Sequence, residues 1–169
     1  MKKIQNIVLD IDQTLLDAHL NPDNNTANTM SDYTFFLRPY LARFLNFLFE
    51  HFNVAIWTAA DTEYAHYVVN NIIAPMTGRR PQFIMSRPDY QDCLLKGLGH
   101  KNLLYLSQKY PHFDHNKTII IDDLDYVKAT NGVRCIALPK FMMDNPQQSK
   151  NDTALLSLMN AMKITVLNK

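Results

Sequence analysis

Apolar residues fall along the 169-residue chain in two kinds of pattern. Short continuous runs recur at 4–9 (around Ile7-Val8-Leu9), at 53–58 (NVAIWT), at 82–86 (QFIMS), at 117–122 (KTIIID) and at 133–138 (VRCIAL). Runs of this length and richness in Val and Ile predict strands buried on both faces. Between them the spacing changes to that of a helix. Leu41, Phe44, Leu45, Leu48 and Phe52 form one apolar face and predict a helix over 38–51, with Pro39 in its first turn. DTEYAHYVVNNIIA predicts a second, opened by Asp61 as N-cap and closed before Pro75. NLLYLSQKY predicts a third, stopped by Pro111, and a last one runs from Asp152 with Leu155, Leu158, Met159 and Met162 on one side. The polar stretch DAHLNPDNNTANTMSDYT has the chemistry of a loop, and residues 87–100 read as a short hairpin.

Strands alternating with helices predict right-handed crossovers and a mainly parallel sheet covered on both faces, a three-layer Rossmann-like α/β architecture in one domain, 1–169. In such sheets ligands bind beyond the carboxyl ends of the strands, near the switch in strand order. The polar residues of this chain gather where that rule points. Asp10, Asp12 and Thr14 follow the first strand, Thr58 ends the second, and Asp122-Asp123 end KTIIID.

Four carboxylates converging on one rim need compensation. Two like charges ~4 Å apart repel by roughly 4 kcal/mol at an effective dielectric of 20, so the cluster must protonate or hold a cation. All-oxygen ligands select a hard ion, and Mg²⁺ suits a few carboxylates with waters. A calcium loop of the EF-hand kind fails on spacing: counted from Asp10, the sixth residue is Leu15 where Gly is required and the twelfth is Asn21 where Glu is required.

Composition changes this picture only by exclusion. Net charge is +1 and no basic run exceeds Arg79-Arg80, which argues against a stable nucleic-acid binder. No apolar run is long enough to span a bilayer and no secretion signal opens the chain, so a cytoplasmic or nuclear location is expected. Cys93 and Cys135 form no CxxC and read as reduced thiols, and His112 and His115 lack further ligands at zinc spacing.

The ordered motifs resemble a known family. DIDQTL looks like the DxDxT motif of haloacid-dehalogenase (HAD) phosphatases, the class with an aspartate nucleophile. FFLRPYLARFL, VAIWTAADTEYA, Ser86-Arg87, Lys101-Asn102-Leu103 and Asp122-Asp123 follow in the order of the FCP/SCP group, which acts on phosphoserine in the C-terminal domain (CTD) of RNA polymerase II and on related phosphoproteins. The resemblance implies a Mg²⁺-dependent phosphoprotein phosphatase with an aspartyl-phosphate intermediate. Asp10 is then the nucleophile and Asp12 the general acid and base. Thr58 and Lys101 hold the phosphoryl oxygens, Asp10, Asp12, Asp122 and Asp123 hold the metal, and Thr14 and Arg87 assist substrate binding. Lys96 competes with Lys101 for its role, and Asn102 replaces the Asp that the family pattern places after the lysine.

Each residue also has a plainer reading: turn residues for Asp10 and Asp12, a helix cap for Thr58 or Asp122-Asp123, a surface lysine for Lys101, a structural ion pair for Arg87. Alternative functions are a nucleic-acid 3′-phosphatase, a small-molecule phosphatase of the same superfamily, or an inactive phospho-binding module. The family's cap domains enter after the first motif or between the third strand and the lysine. The first interval is polar and suffices for a flap. The second, 87–100, is too short for a domain with its own core, so a capless site open to an extended phosphorylated protein or peptide is expected.

Overall fold

The computed structural model describes residues 3–20, 30–144 and 149–167. Five parallel strands form the sheet, in the order β5-β4-β1-β6-β7: β1 (Asn6–Leu9), β4 (Asn53–Trp57), β5 (Ile84–Met85), β6 (Thr118–Asp122) and β7 (Cys135–Ala137). The remaining two, β2 (Leu16–Leu20) and β3 (Tyr33–Leu37), pair as an antiparallel ribbon outside it. The helices are α1 (Leu41–His51), α2 (Thr62–Val68), α3 (Ala74–Thr77), α4 (Arg87–Leu95), α5 (Leu103–Lys109), α6 (Asp125–Asn131) and α7 (Ala154–Leu167).

Strand alternation divides the core into two layers. Ile7, Leu9, Val54, Ile56 and Ile121 point to one face, where Phe44, Leu45 and Leu48 of α1, Val68 of α2 and Leu155 and Met159 of α7 cover them. Val8, Ala55, Trp57 and Ile120 point to the other, against Cys93 of α4, Leu103 and Leu106 of α5 and Val127 of α6. The continuous apolar runs are therefore explained by burial on both sides, and the three-layer α/β expectation holds.

Several local expectations are corrected. Residues 87–100 are not a hairpin: α4 fills 87–95, with the Ser86 N–H donating to Asp89 Oδ2 at 3.1 Å as the first turn closes. The stretch read as loop from 17 to 34 carries β2 and the start of β3, while its middle, 21–29, lies outside the described residues. α1 begins at Leu41, not Arg38. Pro39 precedes the cap position, where Tyr40 adopts φ 67°, because the Arg38 N–H is spent on Leu15 O and the chain is still leaving the ribbon. Pro75 does not stop the second helix. A π turn over Val69–Ile73 widens the register just ahead of it, α3 continues through the proline, and Gly78 ends it at φ 66°.

β1 lies at the centre, with β4 and β5 laid down to one side and β6 and β7 to the other. The switch point thus falls between β1 and β6, whose register pairs Leu9 with Ile121. The next residues on the two strands are Asp10 and Asp122.

Candidate active site

The loop after β1 is wound tightly on itself. The N–H groups of Thr14, Leu15 and Leu16 all point to Ile11 O, and Gln13 turns through φ 60°. That winding leaves Asp10 and Asp12 at the sheet edge and turns the Thr14 hydroxyl back between two acids, 3.0 Å from Asp10 Oδ2 and 3.3 Å from Asp123 Oδ1.

From the opposite side comes Lys101. Its side chain is 1% exposed, and Nζ donates to Asp10 Oδ1 at 2.6 Å and to Asp122 Oδ2 at 2.7 Å. The approach is backbone-strained: Lys101 takes φ 47°, and two residues earlier Gly99 takes φ +85° with Thr130 so close that an added Cβ would lie 2.8 Å from its Oγ1. A left-handed non-glycine residue costs of order 1–3 kcal/mol and is found where the surroundings impose it. Here Asn131 imposes it, accepting from Leu103 N and donating to Lys101 O. Asn102 caps α5 by accepting from Leu104 N at 2.7 Å, so its amide oxygen does the capping work open to an aspartate at that position.

Asp122 Oδ1 accepts from Leu124 N, and Asp123 Oδ1 faces Thr14. Asp123 Oδ2 is buried, accepts no hydrogen bond, and stands 4.0 Å from Lys140 Nζ. Tyr64 of α2 donates its hydroxyl to Asp12 Oδ1. Asp10, Asp12, Gln13, Thr58, Lys101 and Asp123 line one cleft of about 250 Å³.

Burial dominates the electrostatics. It pushes the carboxyl of Asp10 up to about 7 against the pull of Lys101, with Asp122 adding to the rise. Burial also raises Asp12, opposed by the Tyr64 hydrogen bond, and Asp123, where Asp122 adds its charge. Burial works to lower Lys101, but Asp10 and Asp122 outweigh it and hold the group above its ordinary value as an ammonium. Beyond protonation or a metal, the rim acids have a third source of compensation: one resident ammonium takes up part of the charge. The remainder fits a hard cation. One carboxylate oxygen from each of Asp10, Asp122 and Asp123 lies within 4.8 Å of the others, and all three residues are buried.

The structure brings Asp10, Asp12, Thr58, Lys101, Asp122 and Asp123 together. Lys96 is elsewhere, exposed and paired with Asp92 one turn back on α4. Thr14 is buried behind the acids and does not line the cleft; its hydroxyl meets Asp10 and Asp123. Arg87 donates to Ala59 O and pairs with Asp61 at 2.7 Å, also outside the lining. Asp61 occupies the N-cap position of α2 without capping it. Thr58 Oγ1 accepts from Ala60 N, a turn contact that still leaves the residue on the cleft wall. The sequence reading gave no role to Tyr64 or Lys140. Tyr64 had a signal in its motif position; Lys140, eighteen residues past β6 (Thr118–Asp122), had none.

A parallel sheet with paired aspartates after its central strand, and a lysine bridging the first of them to a further acid, is the HAD-like phosphatase arrangement. The chain belongs to the NLI interacting factor-like phosphatase family, whose model matches residues 5–169. It is 32% identical over 177 aligned positions to "Putative CTD phosphatase-like protein 355R" of Invertebrate iridescent virus 6, covering 92% of this chain and 95% of that one. Among solved structures, Fcp1, described as an essential RNA polymerase II CTD phosphatase, superposes with a TM-score of 0.62 at 23% identity. That match takes in 98% of this chain but only 54% of Fcp1, so the chain spans about half the length of that structure. A Vibrio cholerae structure described as "putative 3-deoxy-D-manno-octulosonate 8-phosphate phosphatase" superposes with a TM-score of 0.58 at 15% identity, over 96% of this chain and 84% of the other. Both structural likenesses bear on the fold.

Proposed function

We propose that this chain is a Mg²⁺-dependent phosphoprotein phosphatase that removes phosphate from serine through an aspartyl-phosphate at Asp10. The observation that carries the reading is the convergence of Asp10, Asp12, Thr58 and Lys101 on one cleft from separate strand ends and loops. Asp10 attacks phosphorus; its Oδ–P bond forms as the serine O–P bond breaks, and Asp12 gives its proton to the leaving alkoxide. Burial, which raises the Asp12 carboxyl, favours that protonated form. Asp12 then takes a proton from water, which attacks phosphorus, and the Asp10–phosphorus bond breaks to release phosphate. Lys101 and Thr58 hold phosphoryl oxygens, Lys101 turning one of its N–H groups from the acids. Tyr64 fixes the Asp12 side chain. Asp10, Asp122, Asp123 and the Asp12 carbonyl would hold Mg²⁺, which would supply positive charge between the nucleophile and the incoming phosphate.

Among the described residues neither cap position carries a domain: the β2–β3 ribbon occupies the first, and α4 of nine residues the second. With no cap domain among the described residues, contacts along an extended substrate would supply binding energy, which supports a phosphorylated protein or peptide. Assays on a phosphoserine peptide, free phosphoserine, an aryl phosphate and a 3′-phosphorylated oligonucleotide, with Mg²⁺ and with EDTA, test this. Expected are the highest kcat/KM on the peptide, no turnover in EDTA or in Asp10→Asn, and a loss of ~10²–10⁴-fold in Asp12→Asn. Unchanged turnover by Asp10→Asn would falsify the nucleophile assignment, and preference for the oligonucleotide would replace the protein substrate by a nucleic-acid end.

A further inference from the structure

The chemistry above leaves the side chain of Arg38 without a role, although it is among the largest fully buried groups of the protein. Four hydrogen bonds leave its guanidinium. Nη1 donates to Thr14 O at 3.0 Å, Nη2 to Pro139 O at 2.7 Å, and Nε and Nη2 to the two carboxylate oxygens of Asp152 at 3.1 and 2.9 Å. Asp152 in turn accepts from Ala154 N at the start of α7. One side chain thus joins the acid-bearing loop after β1, the segment that leaves β7, and the cap of the last helix. Two more ties run beside it. Phe141 N donates to Gln13 O at 2.8 Å, its ring 5.7 Å from the guanidinium carbon, and Met143 N donates to Asp17 Oδ2 at 2.9 Å.

The ties from the C-terminal segment land on residues 13–17. Thr14 is the junction: Arg38 holds its carbonyl, while its hydroxyl lies between Asp10 and Asp123. A buried ion pair is weak evidence of stabilisation, since an apolar pair of equal volume often serves as well. What the planar guanidinium adds is direction, because a fork that grips a carboxylate bidentately and a carbonyl on its other arm fixes their mutual placement.

We infer that Arg38 is a positioning residue of this site. With Asp152 as its counter-ion it sets Thr14, and through Thr14 the relative placement of Asp10 and Asp123, which makes the segment after β7 part of the catalytic unit. The inference rests on the phosphatase reading, and misplacement of reacting groups by 1 Å costs about 10²-fold in rate.

The test uses Arg38→Lys, which keeps the charge and loses the fork, and Asp152→Asn, which keeps the shape and loses the charge, with Asp152→Glu as the conservative variant. Aryl phosphate kinetics, Mg²⁺ calorimetry and thermal melting are read on each. Expected is a fall in kcat of about tenfold or more with KM within about threefold of wild type, since Thr58 and Lys101 are untouched. Mg²⁺ affinity falls in parallel, and Asp152→Glu recovers part of both. Wild-type kcat and Mg²⁺ affinity in the variants, or a change confined to KM, overturns the inference. If Arg38→Lys melts below the assay temperature, Asp152→Asn decides alone. If the wild-type protein hydrolyses no phosphate ester, the phosphatase reading fails, and Mg²⁺ affinity decides whether Arg38 still organises the acids: weakened by the substitutions it stands, unchanged or absent it falls.

Discussion

Lys101 is the residue on which the electrostatics of the site turn. Its ammonium is shared by Asp10 and Asp122, all three buried; burial works to lower it, and the two acids outweigh that. Removing one partner of a buried ion pair costs more than the pair is worth, because the other charge is left without compensation. Lys101→Met keeps the volume and strips the charge, leaving two acids facing each other. The expected loss is ~3 kcal/mol in urea unfolding with EDTA present, partly restored by Mg²⁺, which supplies positive charge to the same oxygens. A loss below ~1 kcal/mol in EDTA would show that the acids are neutral without the lysine. The residue scale also shows what spacing alone cannot settle. Lys96 and Lys101 are five positions apart and equally basic in sequence; α4 ends at Leu95 just before the first, and the left-handed residues Gly97, Gly99 and Lys101 direct the second inward.

At the scale of elements, legibility followed burial. β1, β4 and β6 were evident because burial on both faces demands an unbroken apolar run, and α1 because five of its residues enter the core. α4 was not, since it buries only Cys93 and so has no apolar stripe for periodicity to detect. Its signal was the cap chemistry of Ser86 and Asp89 at the first turn, with Pro88 beside them. The β2–β3 ribbon was obscured for a related reason: its strands lie outside the main sheet, and its stability comes from side chains elsewhere, Phe35 stacking on Tyr67 and Tyr33 meeting Tyr64 edge-on. Asp89 deserves a test at this scale because α4 has little else to hold it. Asp89→Ala removes the bond from Ser86 N and the ion pair with Lys109, and a loss of ~1 kcal/mol in urea unfolding is expected, with Asp89→Asn losing less. Wild-type stability in both variants would place the anchoring of α4 in the burial of its Cys93 and the hydrogen bond from Tyr105 to Asp92 instead.

Across the whole molecule the acids couple stability to pH and to metal in opposite senses. Asp10, held near 7, and Asp12 and Asp123, both raised, bind protons more tightly in the folded chain than in the unfolded one. A carboxyl shifted upward stabilises the fold fully at a pH below its ordinary value of about 4, and that contribution is lost as pH rises through the folded value. In EDTA the melting temperature is therefore expected to fall between pH 5 and pH 8 — roughly the span that ends just above the Asp10 value. On the proposed reading, Mg²⁺ would bind the deprotonated oxygens of the native state and so stabilise most where protons are scarce. Its effect on the melting temperature should be near zero at pH 5 and greatest at pH 8, flattening the decline seen in EDTA. Asp123→Asn tests the assignment, because it removes both a titrating carboxyl and one of the three carboxylates of the candidate cation cluster. Because burial and Asp122 outweigh the 4.0 Å pairing with Lys140, that variant should melt higher than wild type in EDTA at pH 8 and gain less from Mg²⁺. A wild-type melting temperature that climbs with pH in EDTA, or a variant that responds to Mg²⁺ as strongly as wild type, would place both the charge strain and the cation away from Asp123.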